Sequence, residues 1–322
     1  MSTIGFIPTE INETLQEVEA LMSRQADGYH PDLQLAIQHL ISAGGKRVRP
    51  TLTLLIGNML GGPHDRLVTL AAAIEMLHTA TLVHDDLIDG SLLRRGNPTL
   101  NAQWSPGATV LTGDFMFARA AKLASDTESI PVIGLFSTTL GIIVNGEINQ
   151  LFSARCSISR PAYFARIYAK TASLFETSAK SAALISDADV KITSAMRHFG
   201  HEIGMAFQIM DDILDFTADP AVLGKPVGND LRQGLVTLPV ICYAESNPEN
   251  EISDALNKGK CISQQQIDCL IPELKKSGAI HKAYEEARQF IHSGLESLQM
   301  APACPERIAL QELAEYFVDR AL

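Results

Sequence analysis

The chain has 322 residues, of which 46% are hydrophobic and 20% charged, and its formal net charge is −11. This composition provides enough apolar material for a sizeable core. The acidic balance argues against a general nucleic-acid-binding protein, because phosphate contacts need a basic surface. Anionic ligands are not excluded, since positive charge can be concentrated locally.

Helical periodicity runs through the chain, with apolar residues three or four apart in residues 11–24, 67–82 and 203–216. The N-terminal stretch before the first of these lacks a basic segment followed by an apolar one, so no secretory signal is predicted. Alternating strand patterns are not found, and turn-forming clusters separate the helices without a low-complexity linker. The sequence therefore predicts an all-α protein with a single domain over residues 1–322.

A cationic loop, "GGKRVRP" at 44–50, precedes the second helical stretch. It carries Lys46, Arg47 and Arg49 between two glycines and a proline that suits the first turn of a helix. Guanidinium groups and helix N-termini suit phosphate. Taken alone, each of these cations is more simply a solvated surface charge.

An acidic pentad follows within "VHDDLIDG" at 83–90. Asp85 and Asp89 are four residues apart and so lie on one helix face, with Asp86 to one side. Carboxylates this close repel one another unless a cation or a proton intervenes. Mg²⁺, which combines one or two carboxylates with waters and substrate phosphates, is a natural partner for such a pair.

Two further features follow this pentad in the sequence. Arg94 and Arg95 follow the first pentad in a short loop. The uncharged stretch at 130–146 is nearly long enough to span a bilayer. Because it holds several polar residues and opens near Pro131, a buried helix is the preferred interpretation, and no transmembrane segment is predicted.

The second pentad, within "IMDDILDF" at 209–216, repeats the arrangement with Asp211, Asp212 and Asp215. A solvated acidic helix end explains one such pentad, but two of them, each after an apolar helix, favour metal binding. Lys170 and Lys225 add cations before and after this pentad. Acidic clusters, cations and apolar helices together indicate a ligand with a diphosphate head and a hydrocarbon body.

The remaining candidate groups point to no other chemistry. The five cysteines are scattered, without a C-x-x-C pair, and predict reduced thiols in a cytoplasmic protein. His198 and His201 lie three apart on a helix without a carboxylate-rich zinc pattern, so both are interpreted as structural.

These motifs resemble the trans-isoprenyl diphosphate synthases, and in particular the long-chain polyprenyl diphosphate synthases that make quinone side chains. The resemblance extends from about Gly44 to Pro239, and more weakly to the C-terminus. Its motifs occur in family order: "GGKRVRP", "EMLHTATLVHDDLIDGSLLRRGNPT", "GDFMFARA", "GEINQ", "YAKTASLF", "FQIMDDILDF", "GKPVGNDLRQG" and "TLP". It implies an orthogonal helical bundle of the isoprenoid synthase type with a central apolar cavity.

The resemblance also implies roles for individual residues. Six aspartates would hold magnesium, three ions with substrate bound: Asp85, Asp86, Asp89, Asp211, Asp212 and Asp215. The residues implied to bind isopentenyl diphosphate are Lys46, Arg49, His78 and Arg95. Arg94 and Lys225 would bind the diphosphate of the allylic substrate, and Lys170, Thr171 and Gln208 would line the reacting centre.

The implied reaction is a head-to-tail (1'-4) condensation. Magnesium and cations take up charge on the departing diphosphate, and the double bond of isopentenyl diphosphate attacks the resulting allylic cation. By family analogy, the released diphosphate accepts the proton. Farnesyl or geranylgeranyl diphosphate is the expected allylic substrate. A homodimer is also implied, with the helix at 130–146 supplying part of its interface.

Four positions bear on affinity or product length. Leu235 stands where the family usually has a lysine, which removes one cation near the diphosphates unless Arg232 compensates. Leu77, Ala80 and Thr81 lie one to two helical turns before the first pentad. Short-chain members carry aromatic residues at the last two positions, so alanine and threonine predict a product longer than farnesyl.

Three alternatives remain. A geranylgeranyl diphosphate synthase differs only in the floor of the product cavity. A class I terpene cyclase usually has an Asn/Asp-Ser/Thr-Glu triad at the second motif, and "DDILD" disfavours it. A non-catalytic subunit of a heteromeric synthase would have lost an aspartate motif, and both motifs are intact.

Overall fold

A computed structural model of the chain describes residues 7–94, 96–152, 155–218 and 226–319. Regular structure in these ranges is helical apart from one short hairpin, in which β1 (Leu93–Arg94) pairs antiparallel with β2 (Asn97–Pro98). The predicted all-α class is confirmed.

The helices follow the predicted periodic stretches. In chain order they are α1 (Thr9–Ser23), α2 (Pro31–Ser42), α3 (Val48–Met59), α4 (His64–Ile88), α5 (Leu100–Gln103), α6 (Pro106–Asp126), α7 (Ile130–Phe152), α8 (Arg160–Ile167), α9 (Ser173–Ile185), α10 (Val190–Thr217), α11 (Asn229–Arg232), α12 (Leu238–Ser246), α13 (Glu251–Asn257), α14 (Gln264–Lys276), α15 (Ala279–Leu298) and α16 (Pro305–Asp319). A 3₁₀ turn (Arg24–Ala26) follows α1, and a π-helical turn (Tyr168–Ala172) joins α8 to α9.

The chain divides into two compact units, each made of non-consecutive segments. The first comprises Met1–Leu140, Leu174–Gly200 and Ser297–Glu312. In this unit α4 packs against α1, α3 and α6, and it is buried around most of its circumference. A Cβ on Gly57 of α3 would lie 2.3 Å from the Leu67 side chain, so glycine permits the close approach of α3 to α4.

The second unit comprises Gly141–Ser173, His201–Glu296 and Leu313–Leu322. Within it α12 contacts α8, α13 and α14, and α11 contacts α14. The later part of α10, which carries the second pentad, contributes Ile213 and Phe216 to the core. The single domain over residues 1–322 and its central cavity stay predictions.

The expectation that residues 130–146 form a buried helix is wrong. They belong to α7, but only 22% of its most apolar 18-residue window is buried, whereas the corresponding figure for α4 is 72%. Ile130 and Phe152, at the two ends of α7, are more than four-fifths exposed. By length and composition alone, both helices are long and apolar enough to cross a membrane. For α4, burial in the core accounts for the apolar composition. An apolar helix this exposed usually marks a contact surface.

The expectation of reduced thiols is also wrong for two of the five cysteines. Cys156 and Cys261 form a disulfide across 105 residues of sequence. Cys242, Cys269 and Cys304 are free. A pairing between such distant positions depends on the fold and leaves no pattern in the sequence.

We expect Cys261→Ser to lower the free energy of unfolding by about 2–4 kcal/mol, because the disulfide closes a long loop in the unfolded chain. Urea unfolding without reductant measures the loss, and Cys269→Ser, which removes an exposed free thiol, is the matched control. Thiol titration of the denatured wild type, prepared without reductant, should count three thiols, and a count of five would contradict the bond.

Candidate active site

The first acidic pentad occupies the end of α4. Asp85 is half-buried and Asp89 is exposed, whereas Asp86 is only 7% exposed. Arg94 of β1 donates from Nε to both carboxylate oxygens of Asp86, at 3.0 and 2.9 Å, and its Nη2 lies 2.9 Å from Oδ1. This multidentate ion pair fixes the hairpin to the end of α4.

The turn before the pentad is held by α6. The His84 ring packs directly over Gly113, where a Cβ would lie 2.2 Å from His84 Nε2. The same nitrogen is 3.2 Å from the Val110 carbonyl oxygen and 3.5 Å from Asp114 Oδ1. The glycine of the "GDF" motif therefore has a packing role, since any larger side chain would displace the ring next to Asp85.

Arg47 of the cationic loop is a structural residue rather than a surface cation. It precedes α3 with φ 46° and is 8% exposed. Its Nε donates to Glu19 and its Nη1 to Glu75, both at 2.8 Å, and its Nη2 donates to the Ile41 carbonyl oxygen at 2.6 Å. Burial opposes its charge, but Glu75 and Glu19 outweigh burial and raise its pKa. Lys46, beside it, is exposed.

The other predicted cation of this loop lies against an aromatic ring. Arg49 is buried near the start of α3, with its guanidinium carbon 4.7 Å from the centroid of the Phe175 ring. This distance is in the range of a cation–π contact. His78, on α4, is half-buried. The first unit thus contains the described residues predicted to bind isopentenyl diphosphate.

The second pentad lies on α10, and as in the first pentad its middle aspartate is the most buried of the three. Asp211 and Asp215 are half-buried, whereas Asp212 is 3% exposed. The Tyr163 hydroxyl donates to Asp212 Oδ2 at 2.8 Å, and Gln208 Nε2 donates to Oδ1 at 2.9 Å. Tyr163 has no motif around it in the sequence, and only the packing of α8 beside α10 reveals its role.

A hydrogen-bond chain connects three of the predicted residues. Thr171 Oγ1 donates to Gln208 Oε1 at 2.6 Å, and Gln208 in turn donates to Asp212. Burial raises the pKa of Asp212 to about 7, and the charge of Asp230 adds to that effect, while Gln208 and Tyr163 oppose it. These two hydrogen bonds fix the orientation of the Gln208 amide, because its oxygen accepts from Thr171 and its nitrogen donates to Asp212.

Lys170 lies in the π-helical turn, next to Thr171. It is exposed, and its Nζ is 3.3 Å from Glu147 Oε1 of the "GEINQ" motif. The ion pair places an acidic residue of α7 beside the predicted catalytic lysine. The "GEINQ" motif alone does not reveal this role of Glu147.

The segment after the second pentad folds back on α10. Asp215 accepts hydrogen bonds from the backbone N–H groups of Asn229 and Asp230, both at 3.2 Å, and its carbonyl oxygen accepts one from Gly228 at 2.9 Å. Gly228 has φ 69°, a conformation that favours glycine. The third aspartate of the pentad thereby fixes the start of α11.

Both pentads bury the middle aspartate and leave the outer pair closer to solvent. Among the described residues, no three acidic, histidine or cysteine side chains converge into a complete metal site. Mg²⁺ needs only one or two carboxylates when substrate oxygens and waters supply the rest. The outer pairs, Asp85 with Asp89 and Asp211 with Asp215, therefore fit the predicted ion.

Five predicted residues remain. Arg95 and Lys225 lie outside the described residues. Leu77 and Ala80 are fully buried in α4, and the hydroxyl of the half-buried Thr81 donates to the His78 carbonyl oxygen at 2.7 Å.

Arg232 does not support the expected compensation for Leu235. Its Nη1 donates to Gln264 at 2.7 Å, its Nη2 donates to Asp268, and its Nε donates to the Val227 carbonyl oxygen at 3.1 Å. These partners on α14 and in the preceding turn already hold the guanidinium group.

Comparison with known proteins identifies the family. Residues 30–272 match the family model described as polyprenyl synthetase. The chain belongs to the polyprenyl synthetase family. It is 34% identical over 319 residues to octaprenyl diphosphate synthase from Escherichia coli, covering 97% of this chain and 98% of that protein. It is 36% identical over 311 residues to heptaprenyl diphosphate synthase component 2 from Bacillus subtilis, covering 96% of this chain and 89% of that protein.

Solved structures of the polyprenyl synthetase family agree with the fold. The chain superimposes with a TM-score of 0.90 and 33% identity on a polyprenyl synthase from Caulobacter crescentus, complexed with calcium and isoprenyl diphosphate, covering 99% of this chain and 98% of that one. These relatives confirm the predicted family, the all-α isoprenoid synthase fold and the trans-prenyltransferase class. Their names also agree with the predicted long-chain product.

Proposed function

We propose that the protein condenses isopentenyl diphosphate with an allylic diphosphate, in a magnesium-dependent reaction, to make a long trans-polyprenyl diphosphate for a quinone side chain. The main support is the shared build of the two pentads, which hold the middle aspartate inside and leave an outer carboxylate pair on the helix. The names of the octaprenyl and heptaprenyl relatives support a long product.

In this proposal the outer aspartates hold the metal, with three ions in the substrate complex. When bound there, magnesium would neutralise charge on the departing diphosphate. Arg94 and Lys225 bind the allylic diphosphate, and Asp86 orients the Arg94 guanidinium through the ion pair described above. Lys46, Arg49, His78 and Arg95 bind isopentenyl diphosphate.

Thr171 and Gln208 supply dipoles for the allylic cation. The Gln208 amide nitrogen is turned to Asp212, and its oxygen receives the Thr171 hydroxyl. A carbonyl oxygen has a second lone pair, so Gln208 can stabilise positive charge without reorienting. Lys170, paired with Glu147, supplies a cation next to this chain.

The decisive experiment is a product assay on the purified chain with labelled isopentenyl diphosphate, farnesyl diphosphate and magnesium. We expect a ladder of products that extends beyond geranylgeranyl after dephosphorylation and sizing. A stop at geranylgeranyl would favour the alternative synthase. Absence of incorporation would contradict the proposal for the chain alone and point to a heteromeric enzyme, since one relative is named as a component.

We expect Thr81→Phe to shorten the products, because an aromatic ring one turn before Asp85 would close the path of the growing hydrocarbon. Thr81→Val is the matched control, since it keeps the volume and removes only the hydroxyl that bonds to the His78 carbonyl oxygen. The sized ladder measures the effect. An identical ladder from Thr81→Phe and wild type would refute this placement of the path.

The proposal includes a cytoplasmic homodimer. The exposed apolar residues of α7 give a second copy a surface to bury, as symmetric dimers do. Light scattering with size-exclusion chromatography tests it, and a monomeric mass at assay concentrations would contradict it.

A further inference from the structure

A cavity of about 600 Å³ lies within the second unit. Its walls come from the later part of α7, from α8 with the π-helical turn, and from the backbone at Gly234 to Val236. Arg155 and Arg166 both line it.

The chemistry of the lining favours an anion. Arg155 and Arg166 contribute two guanidinium groups, and Asn145, Asn149 and Gln150 contribute amides. None of the described residues that line the cavity is acidic. This concentration of positive charge stands out in a chain whose net charge is −11. Forked guanidinium donors match the geometry of phosphate oxygens.

The backbone beside Arg155 is anchored at the cavity wall, and the Arg155 residue itself is exposed. The Cys156 backbone N–H donates to the Gly234 carbonyl oxygen at 2.8 Å, and the Cys156 side chain is bonded to Cys261. The Arg155 side chain passes beside Gly234, with its Cβ and Cδ 3.3 and 3.6 Å from the position that a Cβ there would take. Within the described part of the chain, its guanidinium has no hydrogen-bond or ion-pair partner.

Arg166 supplies the second cation from α8. Its Nη2 donates to the Val236 carbonyl oxygen at 2.8 Å, and its guanidinium carbon is 5.5 Å from the centroid of the Tyr163 ring. These contacts fix the guanidinium plane while using few of its five N–H donors. Leu235, on the same wall between the Gly234 and Val236 anchors, contributes no charge.

We propose that this cavity binds a diphosphate group and that Arg155 is its principal cation, with Arg166 as a fixed second donor. Arg155 thereby supplies at the cavity wall the charge that Leu235 does not. The identification of the ligand rests on the proposed function, in which both the substrates and the released anion carry a diphosphate.

The first test uses inorganic diphosphate as the probe. Calorimetric titration of the full chain in EDTA removes any contribution of metal at the aspartates. We expect Arg155→Gln to weaken binding about tenfold, as loss of a charge-assisted hydrogen bond does. Adding Leu235→Lys to Arg155→Gln should restore most of the affinity, because it returns a cation to the same wall. Arg288→Gln, which removes an exposed arginine paired with Glu285, is the control.

Kinetics then separate the two sources of the diphosphate. A higher KM for the allylic substrate in Arg155→Gln, with kcat little changed, would assign the cavity to substrate. An unchanged KM with weaker inhibition by inorganic diphosphate would assign it to the released product. Either result supports the proposal.

An unchanged dissociation constant in Arg155→Gln would overturn the proposal, and so would a failure of Leu235→Lys to restore binding. The outcome is separable from the proposed function. Diphosphate binding by a chain that transfers no prenyl group would leave the cavity assignment standing and defeat the activity. Normal turnover with an inert cavity would do the reverse.

Discussion

Asp85→Ala and Asp211→Ala should each lower turnover by orders of magnitude while leaving the protein folded. Each residue is the first of an outer carboxylate pair on a helix, and neither is among the deeply buried aspartates. Without the carboxylate, the proposed magnesium site would lose a ligand, and the Lewis-acid stabilisation that magnesium would supply is worth several kcal/mol in the transition state.

Incorporation of labelled isopentenyl diphosphate measures this effect, and circular dichroism checks the fold. Asp126→Ala and Asp254→Ala are matched controls, because each removes an exposed aspartate paired with a lysine four residues away. Raising the magnesium concentration should recover part of the activity of the site variants but leave the controls unchanged. Near-normal rates in either site variant would contradict the proposal that Asp85 and Asp211 bind the metal.

Arg47→Met should lower the free energy of unfolding by about 3–5 kcal/mol, because it leaves the buried carboxylate of Glu75 and the half-buried carboxylate of Glu19 without their cation. Arg47 bridges Glu19 of α1 and Glu75 of α4, and it also donates to the Ile41 carbonyl oxygen near the end of α2. The loss should also loosen the loop that carries Lys46. We therefore expect a higher KM for isopentenyl diphosphate at temperatures where the variant stays folded.

Urea unfolding measures the stability loss, with Arg24→Met, an exposed arginine, as the control. A double variant, Arg47→Met with Glu75→Leu, should lose less than the sum of its two single variants, since it no longer buries an unpaired carboxylate. Strict additivity, or a loss below about 1 kcal/mol for Arg47→Met, would show that the ion pair contributes little, as exposed pairs do.

Sequence reasoning anticipated those features that depend on local spacing. The pentads, the cationic loop and the helical stretches follow from residues three or four apart, and the structure places them on helices as expected. The burial of Arg47 could not be anticipated from the sequence. Three cations in seven residues look alike in a sequence, and only the two glutamates brought close by the fold distinguish one of them.

The features that sequence reasoning missed depend on contacts between distant segments. Tyr163 lies 49 residues from Asp212, and the two half-cystines lie 105 residues apart. The exposure of α7 was missed for a different reason. Apolar composition predicts that a helix will be covered, but it does not say whether the cover comes from the same chain.

The π-helical turn between α8 and α9 determines the angle between the Tyr163 and Thr171 side chains around the helix axis. Tyr163 and Thr171 are eight residues apart, which would separate them by about 80° around a regular α-helix. A π turn accommodates one additional residue, which reduces that angle to about 20°. Both side chains then reach α10, where Asp212 and Gln208 are one turn apart. The number of residues within Tyr168–Ala172 is therefore constrained together with the identity of Thr171, and deleting one residue would disconnect Thr171 from Gln208.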